Sequence, residues 1–241
     1  MQASKPIEIF IKIWYYFKRL VFYFLVSSIG SVIFFSVVPI PFTPLMLQRS
    51  GEQLLSGKPL TLQKDWTSIE NINPNMILAV VCAEDQRFES HLGFDFKAIE
   101  KAISSNKKLK KRGKSIKGAS TISQQTAKNV FLLPARSWIR KGFEVYFTVL
   151  IELFWSKKRI MEVYLNIAEM GNGIYGVEAA STYFFKTTAI HLKPSQAAVL
   201  AAILPNPRVY NASKPSAYVV KRRNWIMRQM NNFGGTIDLN R

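Results

Sequence analysis

Two adjacent carboxylates, Glu84 and Asp85, end a run of eight uncharged residues, MILAVVCA. An apolar run of this kind is typical of a helix that enters the core, so the carboxylate at its end would be partly removed from water. Burial raises the pKa of a carboxyl group, and the charge of Asp85 would raise the pKa of Glu84 further. Because a raised pKa makes a carboxylate a better base near neutral pH, the sequence indicates proton transfer at Glu84.

A second group of polar side chains lies in the block GASTISQQTAKN. Ser120 or Thr121 can cap a helix there, and Gln124, three residues after Thr121, completes a capping box. Gln124 and Lys128 then share one helix face, with Gln125 beside them. Hydroxyls, amides and an ammonium at a helix start would suit sugar hydroxyls and a phosphate, since helix N-termini favour anions. An ordinary polar surface explains this block, taken alone, equally well.

A third group forms a polar stripe on an apolar helix. Ser137 can cap the stretch WIRKGFEVYFTVLIELFW, whose polar residues recur every four positions: Arg140, Glu144, Thr148 and Glu152. A single narrow polar stripe on a helix buried on most sides indicates a cleft wall. The alternative is an ion pair between Arg140 and Glu144 on a solvated face, which stabilises a helix by about 0.2 to 0.5 kcal/mol.

The elements that position these groups are predicted to be helices. Asn73 and Pro74 favour a helix start before the apolar run, and Asp95 can cap the periodic stretch FKAIEKAIS. The glycines of GNGIYG indicate a turn before a further helix. Residues 106–118 contain seven lysines and arginines, which predicts a mobile, solvated loop or a loop attracted to anionic lipid headgroups. Alternation typical of strands is scarce, so we predict a mainly α domain.

Composition limits the class of protein. A chain of 241 residues suits one ordinary domain, and 33 basic against 15 acidic residues give a net charge of +18. This charge predicts a polyanionic partner, which would be nucleic acid, anionic lipid or a phosphorylated substrate. The single cysteine, Cys82, excludes an internal disulfide and suits core packing. With only two histidines, a Cys/His zinc site is disfavoured.

The N-terminus narrows the choice of partner. No charged residue occurs from Leu20 to Gln48, and residues 20–38 are long and apolar enough for a transmembrane anchor, which needs about 20 residues. Four basic residues and one acidic residue precede this segment, so the N-terminus is expected in the cytoplasm and the rest of the chain outside. A cleaved signal peptide is the alternative, but the apolar segment is longer than a typical signal core and no small-x-small site follows it. This location disfavours a nucleic-acid partner.

We therefore divide the chain into four parts. Residues 1–19 form a basic cytoplasmic tail and residues 20–38 the anchor. Residues 39–72 form a connector that three prolines of VVPIPFTPL make stiff, with no convincing periodicity after residue 46. Residues 73–241 form the folded domain.

Four ordered motifs resemble those of family 51 glycosyltransferases: EDQRFESHLG, GASTISQQTAKN, RKGFE and KKRIMEVYLN. The segment GIYGVEAASTYFF resembles the fifth block of that family, so the resemblance covers about residues 73–185. The family includes the glycosyltransferase domain of class A penicillin-binding proteins. Because residue 241 leaves no room for a transpeptidase domain, the chain is most similar to the monofunctional biosynthetic peptidoglycan transglycosylases.

The resemblance implies a lysozyme-like α fold and the polymerisation of lipid II into β-1,4-linked glycan strands. Glu84 would take the proton from the 4-hydroxyl of the lipid II GlcNAc, which attacks C1 of the MurNAc on the growing chain with inversion and release of polyprenyl pyrophosphate. Expected partners are lipid II, the glycan strand, membrane lipids and cell-wall synthesis or division proteins, but no nucleic acid. The expected location is the cytoplasmic membrane, which is the inner membrane in a Gram-negative cell.

We place Glu84 and Glu144 in the catalytic centre. A pyrophosphate leaving group needs charge neutralisation and no proton, so Glu144 is assigned to orienting Arg140 or Lys141, or to holding a divalent cation such as Mg²⁺. Lys128 is assigned to direct phosphate contact, whereas Phe88 and His91 shape the loop after the base. No organic cofactor is expected. The expected substrate-binding residues are Asp85, Phe88, His91, Ser120, Thr121, Gln124, Gln125, Lys128, Asn129, Arg140 and Lys141.

Three other functions are open at this point. A lytic enzyme of the lysozyme class would share the fold and a catalytic glutamate, but the basic motifs favour pyrophosphate handling. An inactive anchored protein that binds an anionic polymer would explain the charge but not the buried acid. A nucleic-acid binder would explain the charge alone.

Overall fold

The first helix, α1, runs from Lys5 to Phe35. A computed structural model of the chain describes residues 5–57, 59–111, 118–135, 137–235 and 237–239. Within α1, Glu8–Phe35 is long and apolar enough to cross a membrane, as the sequence predicts. The Ser27 and Ser31 hydroxyls donate to helix carbonyls three residues earlier, which satisfies these polar groups inside the helix itself. The chain separates into two compact units, residues 1–38 and residues 39–241.

The second unit is mainly helical, as predicted. Its α-helices are α2 Pro44–Leu55, α3 Pro74–Glu84, α4 Phe96–Lys111, α5 Ile122–Phe131, α6 Trp138–Phe154, α7 Lys157–Ile167, α8 Val177–Phe185, α9 Pro194–Ile203 and α10 Ala217–Phe233. Its strands are β1 Gln63–Lys64, β2 Glu169–Gly171 and β3 Ile174–Tyr175. Two single turns of 3₁₀-helix lie at Ile69–Asn71 and Ala189–His191.

The small sheet has the strand order β1-β3-β2 and draws residues 59–72 into the unit. β1 pairs in parallel with β3, and the backbone N–H of Gln63 donates to the carbonyl of Gly173 at 2.8 Å. Gly173 has φ +73°, and a Cβ there would lie 2.1 Å from the Thr61 carbonyl oxygen, so the turn requires glycine. Residues 39–72 therefore contain a helix, a strand and a 3₁₀ turn rather than a bare connector, because these short elements pair with distant partners that periodicity does not reveal.

The core is built around α3. This helix packs against α9 and α10, whereas α5 packs against α6 and α7. Cys82 is buried in α3, as predicted, and burial raises the pKa of its thiol to about 11. α9 is almost entirely buried and rich in alanine, which lets neighbouring helices approach closely.

Helix starts agree with the capping signals in the sequence. Asn73, Asp95 and Ser137 each accept a backbone N–H at the start of their helices, and Thr121 with Gln124 forms the complete capping box. The prediction of a loop over residues 106–118 is wrong for residues 106–111, which are the last turns of α4. Lysine is a good helix former, so its charge density alone does not end a helix. Residues 112–117 of that predicted loop lie outside the described residues.

Candidate active site

Glu84 is the last residue of α3 and lies half-buried at the edge of a cleft. Its Oε2 accepts a hydrogen bond from Nε2 of Gln125 at 2.9 Å. Burial raises the pKa of Glu84 and the charge of Asp85 adds to this, whereas the Gln125 hydrogen bond and the cations Arg222 and Lys128 oppose it. The raised pKa agrees with the sequence analysis. A carboxylate in this setting can accept a proton from a bound hydroxyl.

Asp85, the next residue, is buried and fully engaged within the protein. It accepts the backbone N–H of Ile122 at 3.0 Å, and both of its oxygens lie 3.0 Å from Nε2 of His91. Nδ1 of His91 accepts the N–H of Gly93 at 3.1 Å, so the proton of a neutral ring lies on Nε2 and points to Asp85. The network joins the end of α3 to the start of α5 and thereby fixes Glu84 relative to Gln125.

The loop after Asp85 is held against α5 and α6. The Thr121 hydroxyl donates to the carbonyl of Gly93 at 2.7 Å. Phe88 is fully buried, and Nζ of Lys157 lies 4.6 Å from the centre of its ring. The residues assigned to substrate from the sequence that are thus buried are Asp85, Phe88, His91, Thr121 and Gln124. Of these, Asp85 and Thr121 still border the cleft beside Glu84.

Gly93 gives a stability test of this loop. It has φ +83°, and a Cβ there would lie 2.7 Å from Cγ2 of Thr148. We expect Gly93→Ala to lower the free energy of unfolding by about 2 kcal/mol or more, because the backbone is strained and the side chain overpacks. Thermal and denaturant unfolding measure this, with Gly142→Ala as the matched control. Gly142 lies inside α6 with no atom near its missing Cβ, so alanine there should stabilise by about 0.5 to 1 kcal/mol. Equal stability of the two variants would contradict the expected strain.

The cleft beside Glu84 measures about 410 Å³. Three cations, Arg87, Lys97 and Lys101, line it together with the exposed Ser120. Arg87 also pairs with the buried Asp95 at 3.0 Å. Three carboxylates, Glu84, Asp85 and Asp95, also line this cleft, and Asp85 and Asp95 are bound by His91 and Arg87. With Glu84 as the remaining carboxylate, Lys97 and Lys101 suit an anionic ligand that carries hydroxyl groups.

A second cleft, of about 570 Å³, lies beside the C-terminal half of α5. Lys128, Asn129 and Arg140 line it together with Arg49 of α2. Burial lowers the pKa of Lys128, and the neighbouring Arg140 and Lys141 lower it too, while Glu144 raises it. Cations gathered this closely repel one another, so an anion such as a phosphate would be stabilised among them.

Glu144 is buried at the centre of these cations and is 3 % exposed. One carboxylate oxygen accepts from Arg140 at 3.2 Å, and the other accepts from Lys141. With both oxygens engaged by cations, Glu144 fits the role of orienting Arg140 and Lys141. Within the described residues, no group of three or more His, Cys, Asp and Glu side chains could hold a metal ion.

Two cations near the site carried no signal in the sequence. Arg49 reaches the second cleft from α2, a helix that periodicity does not predict. Arg222 of α10 donates to the carbonyl of Ala83, directly before the candidate base. Neither residue belongs to a motif with functional spacing: Arg49 has no charged neighbour in sequence, and Arg222 is one of three consecutive basic residues in a strongly basic chain.

Comparisons with known proteins agree with this geometry. Residues 52–231 match the family model described as Transglycosylase. The chain is 54% identical over 231 residues to a protein of Bacteroides thetaiotaomicron, covering 96% of this chain and 90% of that protein. It is 55% identical over 218 residues to a protein of Haemophilus influenzae (90% and 87% covered), and 49% identical over 227 residues to one of Yersinia pseudotuberculosis (94% and 93% covered). All three are named biosynthetic peptidoglycan transglycosylase.

Proposed function

The chain belongs to the transglycosylase family, and from this premise we propose how its site polymerises peptidoglycan. The protein is a peptidoglycan glycosyltransferase of cell-wall synthesis. Its substrates are lipid II and the growing glycan strand. The 4-hydroxyl of the lipid II GlcNAc attacks C1 of the MurNAc at the end of the strand, and the bond from C1 to the pyrophosphate oxygen breaks. Attack from the opposite face gives a β-1,4 bond with inversion.

The base in this proposal is Glu84. The observation that carries it is the half-buried carboxylate at the end of α3, held by Gln125 at the edge of the basic cleft. The carboxylate takes the proton of the attacking hydroxyl as the new bond forms. Because only the ionised form can do so, activity should fall as the pH drops through the raised pKa of Glu84.

The leaving group departs among the cations of the second cleft. Lys128 and Arg140 neutralise the pyrophosphate, and Glu144 keeps Arg140 and Lys141 in place. No proton is needed for a pyrophosphate to leave, so Glu144 transfers none. A divalent cation such as Mg²⁺, held mainly by the oxygens of the substrate pyrophosphate, stays a prediction.

The other motif residues fall into two groups. Ser120 and Asn129 line the two clefts, and the half-buried Gln125 lies beside Glu84, so all three are available for sugar and phosphate oxygens. The buried Asp85, Phe88, His91, Thr121 and Gln124 hold the base and α5 in register.

Labelled lipid II tests the function. The purified full-length protein should convert it to a polymer that lysozyme cleaves to small fragments, as expected of β-1,4-linked glycan. A protein that instead shortens preformed strands would be a lytic enzyme. A protein that binds lipid II without consuming it would be an inactive binder.

Helix α1 and exposed apolar residues of α6 support a location at the membrane. Helix α1 spans the cytoplasmic membrane, the inner membrane of a Gram-negative cell, with the basic N-terminus inside. On the catalytic unit, the α6 residues Trp138, Ile139 and Leu153 are mostly exposed and apolar, which supports contact with membrane lipids. Association with cell-wall synthesis or division proteins stays a prediction.

The orientation gives a topology test. We expect a reporter that works only in the cytoplasm, fused after Arg241, to give no signal, because the positive residues before Leu20 keep the N-terminus inside. The same reporter fused before Met1 is the control and should be active. A strong signal from the fusion after Arg241 would overturn both the location and the access to lipid II outside the membrane.

A further inference from the structure

Arg222 of α10 contacts the last turn of the helix that carries the base. Its guanidinium donates to the carbonyl oxygen of Ala83 at 2.9 Å, across 139 residues of sequence. The guanidinium also lies 4.3 Å from the centre of the Trp225 ring, one turn further along α10. Stacking on an indole restricts the orientation of a guanidinium, so the donor is held towards α3.

The end of α3 needs such a partner. The last carbonyls of a helix have no intrahelical donors and carry a partial negative charge. The Val81 carbonyl accepts the N–H of Asp85, and the Cys82 carbonyl accepts the Gln86 amide at 3.3 Å. Arg222 is the cation that binds the next carbonyl, that of Ala83. A cation at a helix C-terminus stabilises the helix and offsets the partial charge that a carboxylate there would meet.

We propose that Arg222 is a positioning residue for the catalytic base: it ties the last turn of α3 to α10 and keeps the Glu84 carboxylate in a favourable electrostatic environment during turnover. The proposal rests on the proposed function, since it assumes that Glu84 is the base. It adds a residue from the C-terminal helix, outside the sequence motifs, to the machinery of the reaction.

The other groups that face Glu84 explain why Arg222 has this role. Asp85 raises the pKa of Glu84, and Gln125 binds its carboxylate without bringing a charge. Tyr164 of α7 is buried, and burial raises the pKa of its phenol well above the usual value, so it stays neutral. Lys128 of α5 is the other cation that lowers the pKa of Glu84. In the proposed function, Lys128 neutralises the pyrophosphate. Arg222 is then the cation whose charge acts on Glu84.

The cations on the walls of the cleft belong to other elements. Arg87 is paired with Asp95, and Lys97 and Lys101 lie on α4. They line the same cleft as Glu84. Their charges meet the bound anion, whereas Arg222 acts on Glu84 from the protein side.

The test is the pH dependence of kcat/KM for lipid II with the full-length protein in detergent. Arg222→Met should move the acidic limb to higher pH, because losing a nearby positive charge makes Glu84 easier to protonate. At pH values below the midpoint of the wild-type acidic limb, the fold-loss of kcat/KM should exceed the fold-loss on the plateau by about threefold or more. Arg222→Lys should return the limb towards wild type. Arg222→Gln keeps a hydrogen-bond donor for the Ala83 carbonyl but carries no charge. Compared with Arg222→Met, it should therefore regain more of the plateau activity than of the wild-type position of the acidic limb.

Arg223→Met is the matched control. Arg223 is the neighbouring residue of α10, and its guanidinium binds Asn224 at 2.8 and 3.0 Å. This variant should leave the limb in place. A uniform loss at all pH values in Arg222→Met and Arg222→Gln, or an equal shift in Arg223→Met, would overturn the proposal. If Arg222→Met does not unfold cooperatively, the lysine and glutamine variants decide the question.

The positioning role of Arg222 and the assignment of Glu84 as the base can fail separately. Glu84→Gln, measured beside these variants, tests the base itself. If Glu84→Gln is inactive and the limb of Arg222→Gln matches wild type, the role of Arg222 is wrong and the base assignment stands. If Glu84→Gln is active and keeps the acidic limb, the base assignment is wrong.

Discussion

Glu84→Gln is expected to lower the turnover of lipid II by about 10² to 10⁴-fold, the usual cost of losing a positioned general base. The glutamine amide has nearly the same shape as the carboxylate, and its oxygen can still accept the hydrogen bond from Gln125. It cannot take up the proton of the attacking hydroxyl. Polymer formation from labelled lipid II, followed from pH 5 to pH 9, measures the loss.

The effect of Glu84→Gln on stability is expected to have a definite sign. Burial raises the pKa of Glu84 in the folded protein, so the folded state binds this proton more tightly than the unfolded chain does. Such a group contributes stability at low pH that is lost as the pH rises through the raised pKa. At pH values above that pKa, Glu84→Gln should therefore have the unfolding temperature of the wild type or a higher one. A lower unfolding temperature there would contradict the burial of the charge.

A carboxylate outside the site gives the control. Glu100 is exposed on α4, and Glu100→Gln should keep wild-type turnover at every pH. If Glu84→Gln retained turnover within about threefold of wild type, a positioned base at this residue would be untenable.

Lys128→Ala should remove about 2 to 4 kcal/mol of transition-state stabilisation, by analogy with the loss of one preorganised donor. This corresponds to a fall in kcat of about 30- to 1,000-fold. Lys128 is half-buried among Glu144, Arg140 and Lys141, so water cannot fully replace its charge beside a departing pyrophosphate. Arg140→Ala should behave similarly. Both variants should keep an acidic limb set by Glu84, and in Lys128→Ala this limb should lie at higher pH, because Lys128 also lowers the pKa of Glu84.

The control for a lost lysine is Lys158→Ala. Lys158 is exposed and pairs with the exposed Glu70 at 2.8 Å, so its removal should leave kcat unchanged. An equal loss in Lys158→Ala would mean that net charge matters rather than this position.

Glu144→Gln separates the two roles that a second carboxylate could have. Since Glu144 orients Arg140 and Lys141, Glu144→Gln should lose activity evenly across pH. The measurement is lipid II consumption against pH, with Mg²⁺ varied at each pH. If the variant lost a basic limb that the wild type has, Glu144 would be a general acid. A response to Mg²⁺ that disappeared in the variant would instead make Glu144 a metal ligand.

Local signals in the sequence were sufficient for most helix starts. The capping box of Thr121 and Gln124 and the caps at Asn73, Asp95 and Ser137 each depend on residues at most three positions apart. The raised pKa of Glu84 was also predictable, because it follows from the apolar run that precedes it.

Features that depend on distant partners could not be predicted in this way. β1 is two residues long and is a strand because it pairs with β3, more than a hundred positions later. Arg222 is indistinguishable in sequence from the other basic residues, since its function depends on a carbonyl 139 residues away. Similarly, the burial of the motif residues Asp85 and His91 depends on residues that the fold brings together, and their assignment to substrate stays a prediction.

The packing of α3 against α9 and α10 has a consequence for the order in which the enzyme becomes active during synthesis. Chains are made from the N-terminus, so α1 and the base-bearing α3 leave the ribosome well before residues 194–233 exist. Until those last helices arrive, α3 lacks the surfaces that bury it, and the Ala83 carbonyl lacks Arg222. A nascent or truncated chain can thus reach the membrane with every motif residue present and still be inactive. We therefore expect catalysis to begin only after α10 has been made and has packed against α3.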